Sequence, residues 1–285
     1  MSAITIVNMR LEKYLESIED LSGRVIALTG PTSGIGLETY HHLIKKNAKV
    51  ILLARNIEKA QEIRNIYKDK DIGVIKYDQS SIESIEKAID ELINSYPEVD
   101  TVILNAGILQ GDGKTKDGYP LAIGVNYIGV KRFIDYLSSK ITHHLRFVIQ
   151  GSVVGGFSLR KKVDLLNANY KTFKQYNISK IYIESYFYKL YKENTYPNIE
   201  YVLTEPGITS TEIIRHLPKP IRWLGKAFMK LFFHSPKIAS LTLVLGASQK
   251  TNNGDFIVPR GLFSLSGYPK IKKFPRRRER KYLFE

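Results

Sequence analysis

A tyrosine and a lysine one helical turn apart could move a proton in this 285-residue chain. Tyr176 and Lys180 lie in the segment Tyr-Asn-Ile-Ser-Lys, within a stretch (176–193) whose apolar spacing predicts a helix. Residues four apart share one helix face, so the ammonium favours the ionised phenol and lowers its pKa from about 10. Such a phenol suits proton donation to a developing alkoxide. The spacing alone does not select this pair, because it recurs at Tyr127/Lys131, Tyr136/Lys140, Tyr170/Lys174, Tyr188/Lys192 and Tyr268/Lys272.

A glycine-rich turn near the start of the chain could bind a diphosphate. Gly30, Gly34 and Gly36 follow an apolar run (24–29) and lead directly into a predicted helix (35–46). Glycines let the backbone approach a pyrophosphate, and the helix N-terminus offers N–H donors and partial positive charge. The spacing G-x-x-x-G-x-G differs from G-x-G-x-x-G and lacks the GK[ST] ending of ATP- and GTP-binding loops. Because the turn follows the first predicted strand of a βαβ unit, it is expected to bind a dinucleotide and not to be a glycine-rich turn without a ligand.

The end of the second apolar run indicates which dinucleotide the chain would bind. An acid at this point grips the ribose 2′-hydroxyl of NAD, whereas a cation suits the 2′-phosphate of NADP. The segment 53–56 contains Arg55 and no acid, which favours NADP(H) over NAD(H). Asp78, after the third apolar run, either accepts a hydrogen bond from the adenine amino group or serves as a turn or helix-capping residue.

The elements that would position these residues alternate along the first 200 residues. Short runs rich in Val, Ile and Leu alternate with segments of helical spacing, which is typical of βαβ units. This pattern predicts an α/β fold: a single Rossmann-type, doubly wound parallel sheet with helices on both faces. One domain over 1–285 is expected, with an N-terminal extension (1–22), a C-terminal helical lid (208–236) and a basic tail (270–285). The predicted strands are 24–29, 49–54, 72–77, 100–105, 145–150, 199–204 and an edge strand at 254–259, and the predicted helices are 35–46, 57–67, 82–95, 118–140, 176–193 and 236–248.

Six segments in this order resemble the motifs of the short-chain dehydrogenase/reductase family, over about 23–269. Tyr176 stands 24 positions after Ser152. The length of this interval, together with the residues at 164–167 inside it, resembles the retinol-dehydrogenase-like and protochlorophyllide-reductase-like branch of the family. Leu104 replaces the first asparagine of one motif, and Gln150-Gly151 replaces a common serine before Ser152. The six segments are Thr29–Gly36 (TGxxxGxG), Leu104–Gly107 (NNAG), Val125–Gly129 and Gly151–Gly155 (the family's catalytic asparagine and serine), Tyr176–Lys180 (YxxSK) and Pro206–Thr211 (PGxxxT).

The resemblance implies roles for four residues. Tyr176 would exchange a proton with the substrate oxygen, and Ser152 would hydrogen-bond that oxygen. Lys180 would bind the nicotinamide ribose, and Asn126 would hold a water behind the lysine. Tyr176/Lys180 is the pair that follows the serine strand, and Tyr170/Lys174 is its nearest rival. The expected cofactor-binding residues are Thr29, Gly30, Thr32, Ser33, Gly34, Ile35, Gly36, Arg55, Asp78, Asn105, Ala106, Gly107, Tyr176, Lys180, Pro206, Gly207, Thr209 and Thr211.

The expected activity is NADP(H)-dependent transfer of hydride to or from a carbonyl/alcohol substrate. An amphipathic lid that covers the substrate would favour a lipophilic substrate. The alternative is a non-catalytic NADP(H)-binding protein that responds to redox state. The intact set Asn126, Ser152, Tyr176 and Lys180 argues against that alternative. As in many members of the family, a homodimer or homotetramer is expected.

The net charge of +15 is concentrated in two C-terminal segments. Segment 215–237 holds six Lys or Arg and no acid, and segment 270–281 holds eight and one acid. An amphipathic helix starting near Pro220 could cover an apolar substrate, lie on an anionic membrane surface, or pack on its own domain. The two segments could equally be solvated cationic stretches. Nucleic acid is disfavoured, because no aromatic base-stacking platform accompanies the tail.

Composition excludes several other classes of site. The chain has no cysteine, so it can form no disulfide and no thiolate metal site. The adjacent histidine pairs 41–42 and 143–144 lack a carboxylate cluster, so no metal site is expected. Neither a signal-peptide core nor a spanning apolar run is evident. A cytoplasmic location is expected, with a peripheral position at a membrane surface as the alternative.

Overall fold

The computed structural model of the chain describes residues 3–109, 112–156, 162–168, 170–209, 235–280 and 283. Its strands are β1 Val25–Thr29, β2 Lys49–Ala54, β3 Ile72–Lys76, β4 Thr101–Leu104, β5 Leu145–Gln150, β6 Ile199–Thr204, β7 Phe256–Pro259 and β8 Pro269–Lys272. They form one sheet in the order β3-β2-β1-β4-β5-β6-β7-β8. Neighbouring strands are parallel except β7 and β8. The strand order reverses between β1 and β4, which leaves a crevice at their carboxyl ends.

Helices cover both faces of this sheet, as the sequence predicts. The helices are α1 Ala3–Glu16, α2 Gly34–Lys45, α3 Ile57–Arg64, α4 Ile82–Ser95, α5 Leu121–Ile123, α6 Val130–Ser138, α7 Thr172–Glu193, α8 Pro236–Ala239 and α9 Leu241–Ala247. Apolar side chains of α4, α6 and α7 form the core on one face, and those of α2 and α9 form the core on the other. The doubly wound α/β fold is therefore confirmed. Within the described residues, no helix has both the length and the apolar composition that a bilayer crossing requires.

The strands are apolar in nearly every position because both faces of the sheet are covered. All residues of β1 and β4 are buried, as are the side chains from Val50 to Ala54 in β2. Parallel strands buried on two faces read as continuous Val, Ile and Leu rather than as an alternating pattern. Burial of each such side chain contributes about 1.5–3 kcal/mol. This rigid sheet fixes the positions of the loops at its carboxyl end.

The helix predicted over 118–140 is interrupted in the structure. A π-helical segment, Gly124–Gly129, separates α5 from α6. A π turn places one extra residue in the helix and is frequent at functional sites. Asn126 lies in this turn.

The chain termini depart most from the sequence predictions. Within the predicted extension 1–22, α1 packs Leu11 and Leu15 against the fully buried Leu241. The predicted basic tail 270–285 begins inside β8, and its Arg278 is buried. The alternative of a fully solvated tail does not hold for Arg278, because its guanidinium bonds to the buried carboxylates of Glu184 and Glu205. The predicted lid lies outside the described residues between 210 and 234.

Candidate functional site

A cavity of about 1420 Å³ lies at the carboxyl ends of the parallel strands. Residues from the turns after β1, β2, β3, β4, β5 and β6 line it, and so do residues of α7. In a doubly wound sheet this is the position where ligands bind. The predicted site residues that line it are Gly30, Thr32, Ser33, Gly34, Ile35, Gly36, Arg55, Asp78, Asn105, Ala106, Gly107, Ser152, Tyr176, Lys180, Pro206, Gly207 and Thr209.

Two predicted residues are placed behind the cavity wall, and one lies outside the described residues. Thr29 is fully buried, and its Oγ1 accepts the N–H groups of Asn105 and Ala106, each at 3.0 Å. Thr29 therefore connects the end of β1 to the segment that follows β4, behind the cavity wall. Asn126 is also buried. Thr211 belongs to the part of the chain that the structure does not describe.

The glycine turn is shaped for close backbone approach. Gly30 and Gly34 have φ of +66° and +56°, in the left-handed region that glycine adopts without strain. A β-carbon on Gly36 would overlap the carbonyl oxygen of Gly30. The turn leads into α2, and the side chain of Ser33 at its N-cap makes no capping bond to any described N–H group. The N-terminus of α2 is thus directed at the cavity with its amide donors available to an anion.

The end of the cavity beside β2 carries two cations. Arg55 and Lys59 are exposed and line the cavity. The side chain of Asn56 caps α3 by accepting the Lys59 N–H at 2.8 Å, which fixes the start of the helix that carries Lys59. Lys59 is not among the residues predicted from the sequence, although a lysine in the first helical turn after a strand-end arginine is a signal for phosphate binding.

Asp78 has the turn-forming contacts that the sequence allowed as an alternative. Its Oδ1 accepts the N–H and the hydroxyl of Ser80 at 3.0 and 2.7 Å, and Ser81 caps the following helix. Burial favours the protonated form of Asp78, but the Ser80 hydrogen bonds and the charge of Arg55 lower its pKa overall. The carboxylate is therefore a fixed negative charge at the wall of the cavity.

Two hydroxyl groups meet at the end of the cavity beside β5. The Tyr176 hydroxyl donates to Ser152 Oγ at 3.2 Å. Ser152 follows β5 and is buried, whereas Tyr176 lies in the second turn of α7 and is half-buried. A serine and a tyrosine at this distance can bind one oxygen atom between them.

Lys180 lies behind the tyrosine on the same face of α7. Its Nζ is 5.9 Å from the centre of the Tyr176 ring and donates to the carbonyl oxygen of Gln150 at 2.9 Å. Burial lowers the pKa of Lys180 to about 8, and the opposing influence of Glu184 raises it in part. The ammonium is thus poised to lose its proton in the alkaline range.

Asn126 connects the cavity wall to the helix that carries the lysine. Its Oδ1 accepts the N–H of Ile108 at 2.8 Å, and its Nδ2 donates to the carbonyl oxygen of Ile108 at 2.8 Å and to Ser179 Oγ at 3.1 Å. These contacts join the segment after β4 to α7. The side chain acts as a clamp between the two walls of the cavity.

The rival pair Tyr170/Lys174 lies elsewhere. Tyr170 lines a neighbouring cavity of about 870 Å³ and is absent from the described wall of the larger one. Lys174 lies over the Tyr170 ring, 3.7 Å from its centre. Phe173, between them in sequence, lines both cavities and is 58% exposed.

The histidine pairs have structural contacts in the described part of the chain. His42 Nε2 lies 3.1 Å from the carbonyl oxygen of Lys237, and burial lowers the pKa of His42 to about 4. His143 Nε2 lies 2.8 Å from the carbonyl oxygen of Val99. Within the described ranges, His, Asp and Glu side chains form no group of three or more that could hold a metal ion.

A buried ionic cluster, which the sequence did not predict, lies next to the Ser152 segment. Glu184 on α7, Glu205 after β6 and Arg278 near the C-terminus are all buried, and Arg278 bonds to both carboxylates. Glu205 and Arg278 line the cavity. A Glu four residues after Lys180 is visible in the sequence, but its partners are 21 and 94 positions away.

Comparisons with known proteins indicate the family to which the chain belongs. The family model described as short chain dehydrogenase matches residues 24–221. Human retinol dehydrogenase 11 is 27% identical over 254 residues, covering 85% of this chain and 78% of that protein.

Solved structures also resemble the chain. A crystal structure of a putative uncharacterized protein from Mycobacterium paratuberculosis has a TM-score of 0.74 at 21% identity, covering 93% of this chain and 90% of that one. A short chain dehydrogenase from Burkholderia cenocepacia in complex with NADP has a TM-score of 0.64 at 18% identity, covering 81% and 93%. At these identities the likeness to both structures concerns the fold.

Proposed function

The chain belongs to the short-chain dehydrogenase family of oxidoreductases, and we propose that it transfers hydride between NADP(H) and a carbonyl/alcohol substrate. The observation that carries the proposal is the Tyr176–Ser152 hydroxyl contact of 3.2 Å, in the same cavity as the glycine turn. Proton transfer and dinucleotide binding therefore share one site. The family membership favours catalysis over a purely binding role.

The residues around the cavity fit a dinucleotide. The missing side chains at Gly30 and Gly36 leave a cradle, and the N-terminus of α2 supplies amide donors to the diphosphate. Asn105, Ala106 and Gly107 would line the middle of the cofactor, and Pro206, Gly207 and Thr209 would line its nicotinamide end. When bound, the nicotinamide supplies or accepts hydride at its C4 atom.

We propose that NADP(H) is preferred to NAD(H). Arg55 and Lys59 line the end of the cavity where the adenosine ribose would lie, and Arg55 offers two parallel donors to a phosphate. Asp78 lines the same cavity with its Oδ1 bonded to Ser80, and its carboxylate would accept a hydrogen bond from the adenine amino group. A structural neighbour of this chain was solved in complex with NADP, which supports the same choice.

The chain's own groups would handle the proton and the substrate oxygen. Tyr176 would give its hydroxyl proton to the carbonyl oxygen, or remove it from the alcohol in the reverse direction. Ser152 would hold that oxygen by a second hydrogen bond. The ammonium of Lys180 would bind the ribose hydroxyls and stabilise the ionised phenol. Asn126 would hold the lysine-bearing helix at its distance from the cavity wall, and a water bound beside it would relay the proton.

We propose an apolar substrate. Phe173 and Leu166 are both exposed; Phe173 lines the same cavity as the two hydroxyls, and both side chains line the adjoining cavity. A relative of this chain is named as a retinol dehydrogenase, and retinol is an apolar alcohol. The proposed assembly is a homodimer or homotetramer, and the proposed location is the cytoplasm.

Contact with an anionic membrane, through 215–237 and 270–281, is a further part of the proposal. Lys270, Lys272 and Lys273 support it, because the first is half-exposed and the others are exposed. Arg278 is buried and cannot reach lipid headgroups. Replacing the three lysines by glutamine should therefore weaken co-sedimentation with anionic vesicles, whereas unchanged binding would refute a role for this segment.

The experiment that tests the proposed function compares the wild type with Tyr176→Phe. NADPH and NADH are titrated into both proteins by cofactor fluorescence, and a panel of aldehydes and ketones is then screened. The expected result is tighter binding of NADPH in both proteins, with turnover reduced at least about a hundredfold in Tyr176→Phe. Tyr136→Phe is the matched control and should keep full turnover, because Tyr136 is absent from the described walls of both cavities. Equal turnover in Tyr176→Phe and wild type would remove Tyr176 from its role.

A further inference from the structure

The C-terminal arm, defined here as residues 273–280, inserts two arginines beneath the reactive hydroxyls. Arg278 and Arg280 are 7% and 5% exposed. Arg278 bonds to Glu184 and Glu205, which are 0% and 1% exposed. Burying four ionisable side chains is costly unless their charges are paired, so the cluster calls for an explanation.

Glu184 contacts the segment that carries Ser152. It lies on α7 one turn after Lys180 and two turns after Tyr176, so the three side chains follow one stripe of the helix. Its Oε1 lies 3.5 Å from the Ser152 N–H and accepts from it. A β-carbon on Gly155 would overlap the Glu184 carboxylate, so the chain from Ser152 to Gly155 wraps tightly around this group.

The arm holds the same segment from the other side. Arg278 Nη1 donates to Glu184 Oε2 at 3.3 Å and also to Glu205. A β-carbon on Gly156 would lie 2.6 Å from Arg278 Nη2, so the guanidinium packs against the end of the segment. Arg280 Nη2 donates to the carbonyl oxygen of Gly155 at 2.8 Å. The Ser152 segment is therefore fixed between α7 and the arm.

The charges of the cluster are coupled to the lysine of the site. Burial and the nearby Glu205 raise the pKa of Glu184 to about 8, and Arg278 and Arg280 limit this rise. Glu184 in turn raises the pKa of Lys180 against the effect of burial. The remaining charges that face Glu205 are Lys272 and Arg277. Loss of Arg278 would leave two carboxylates close together without their shared cation, which favours protonation of Glu184.

We propose that the C-terminal arm is part of the active site, in which Arg278 holds the Glu184 carboxyl group and Glu184 positions the Ser152 segment and stabilises the ammonium of Lys180. Glu184 and Arg278 are positioning residues, because they act through Ser152 and Lys180. The inference rests on the proposed function for the roles of those two residues.

The principal test is Glu184→Gln, an isosteric change that leaves the Arg278–Glu205 pair intact. Removing the negative charge should move the alkaline fall in the pH profile of turnover about one pH unit lower, and the alkaline fall in the pH profile of NADPH affinity should move by the same amount. Arg278→Met should shift both profiles in the same direction, and Arg278→Lys should restore part of the shift. The double variant Glu184→Gln/Arg278→Met should show no larger shift than Glu184→Gln alone, since the arginine acts through the glutamate.

A matched control and a cofactor-free readout complete the test. Arg276→Met alters an exposed arginine of the same arm and should leave both profiles unchanged. Without cofactor, the rise of unfolding free energy with pH that Lys180 causes should begin about one unit lower in Glu184→Gln. Lys180→Met should remove this rise from both proteins.

The outcomes separate this inference from the proposed function. If the wild type reduces no carbonyl compound, the proposed function is refuted. The pH profiles of cofactor affinity and of unfolding free energy then still test the role of the C-terminal arm. Superimposable profiles in Glu184→Gln and wild type would overturn the inference. So would a variant that is only less stable, with its profiles unchanged, because that result indicates a merely structural cluster.

Discussion

Lys180 should lower the stability of the cofactor-free protein at neutral pH, because its ammonium is buried. Its pKa falls from 10.5 to about 8 on folding, mainly because of burial. This difference corresponds to about 3 kcal/mol of unfolding free energy at neutral pH. Lys180→Met would remove that cost but also lose the hydrogen bond to the carbonyl oxygen of Gln150, worth about 1 kcal/mol. We therefore expect Lys180→Met to be about 2 kcal/mol more stable than wild type at pH 7, while its turnover is lost.

The pH dependence identifies the cause. Between pH 8 and 10.5 the unfolded wild type binds a proton at Lys180 that the folded protein does not, so its stability rises with pH in this window. Lys180→Met has no such rise, and its advantage should shrink to zero or below as pH approaches 10.5. At pH 7 the expected rise in Tm is about 4–8 °C.

The assay is urea unfolding of both proteins from pH 7 to 10 without cofactor. Lys174→Met alters an exposed lysine of the same helix and should follow the wild type at every pH. Parallel pH profiles of wild type and Lys180→Met would refute the reasoning, because they would show that Lys180 keeps its proton equally in both states.

Three further predictions concern other parts of the chain. Arg55→Ala and Lys59→Ala should each weaken NADPH binding about tenfold and leave NADH binding unchanged in fluorescence titrations, whereas equal losses for both cofactors would contradict a 2′-phosphate contact. Asn126→Ala loses three hydrogen bonds of a buried side chain, so its free energy of unfolding in urea should be about 2–4 kcal/mol lower than that of the wild type. A loss under about 1 kcal/mol would show that Asn126 does not hold the segment after β4 against α7. Burial lowers the pKa of His42 to about 4, so the free energy of unfolding of the wild type should fall by up to about 3 kcal/mol between pH 6.5 and pH 4. His42→Gln should lack this loss in acid unfolding, and equal acid sensitivity of the two proteins would refute the prediction.

The sheet and the glycine turn could be predicted from the sequence because local chemistry specifies them. A parallel strand covered on both faces needs a continuous apolar run, and each of the first seven strands contains one. The turn after β1 needs glycines at positions of positive φ, and Gly30 and Gly34 supply them. The motif residues at the strand ends then lie close together because parallel strands end at the same edge of the sheet.

The C-terminal arm could not be predicted because its burial depends on distant partners. Arg278 lies in a run of cations that has the composition of a solvated segment. Its partners Glu184 and Glu205 are 94 and 73 positions away, and the fold alone brings them together. The π turn at Gly124–Gly129 likewise has no local signal in the residues that form it.

Isotope transfer tests the central claim most directly. The wild type is given NADPH deuterated at the transferable C4 position, together with the carbonyl compound it reduces fastest, and the product is analysed by mass spectrometry and NMR. Hydride transfer at this site predicts one deuterium on the carbinol carbon of the product and no deuterium exchanged with solvent. Product without deuterium at that carbon, or deuterium retained on the oxidised cofactor with no alcohol formed, would contradict hydride transfer at this site.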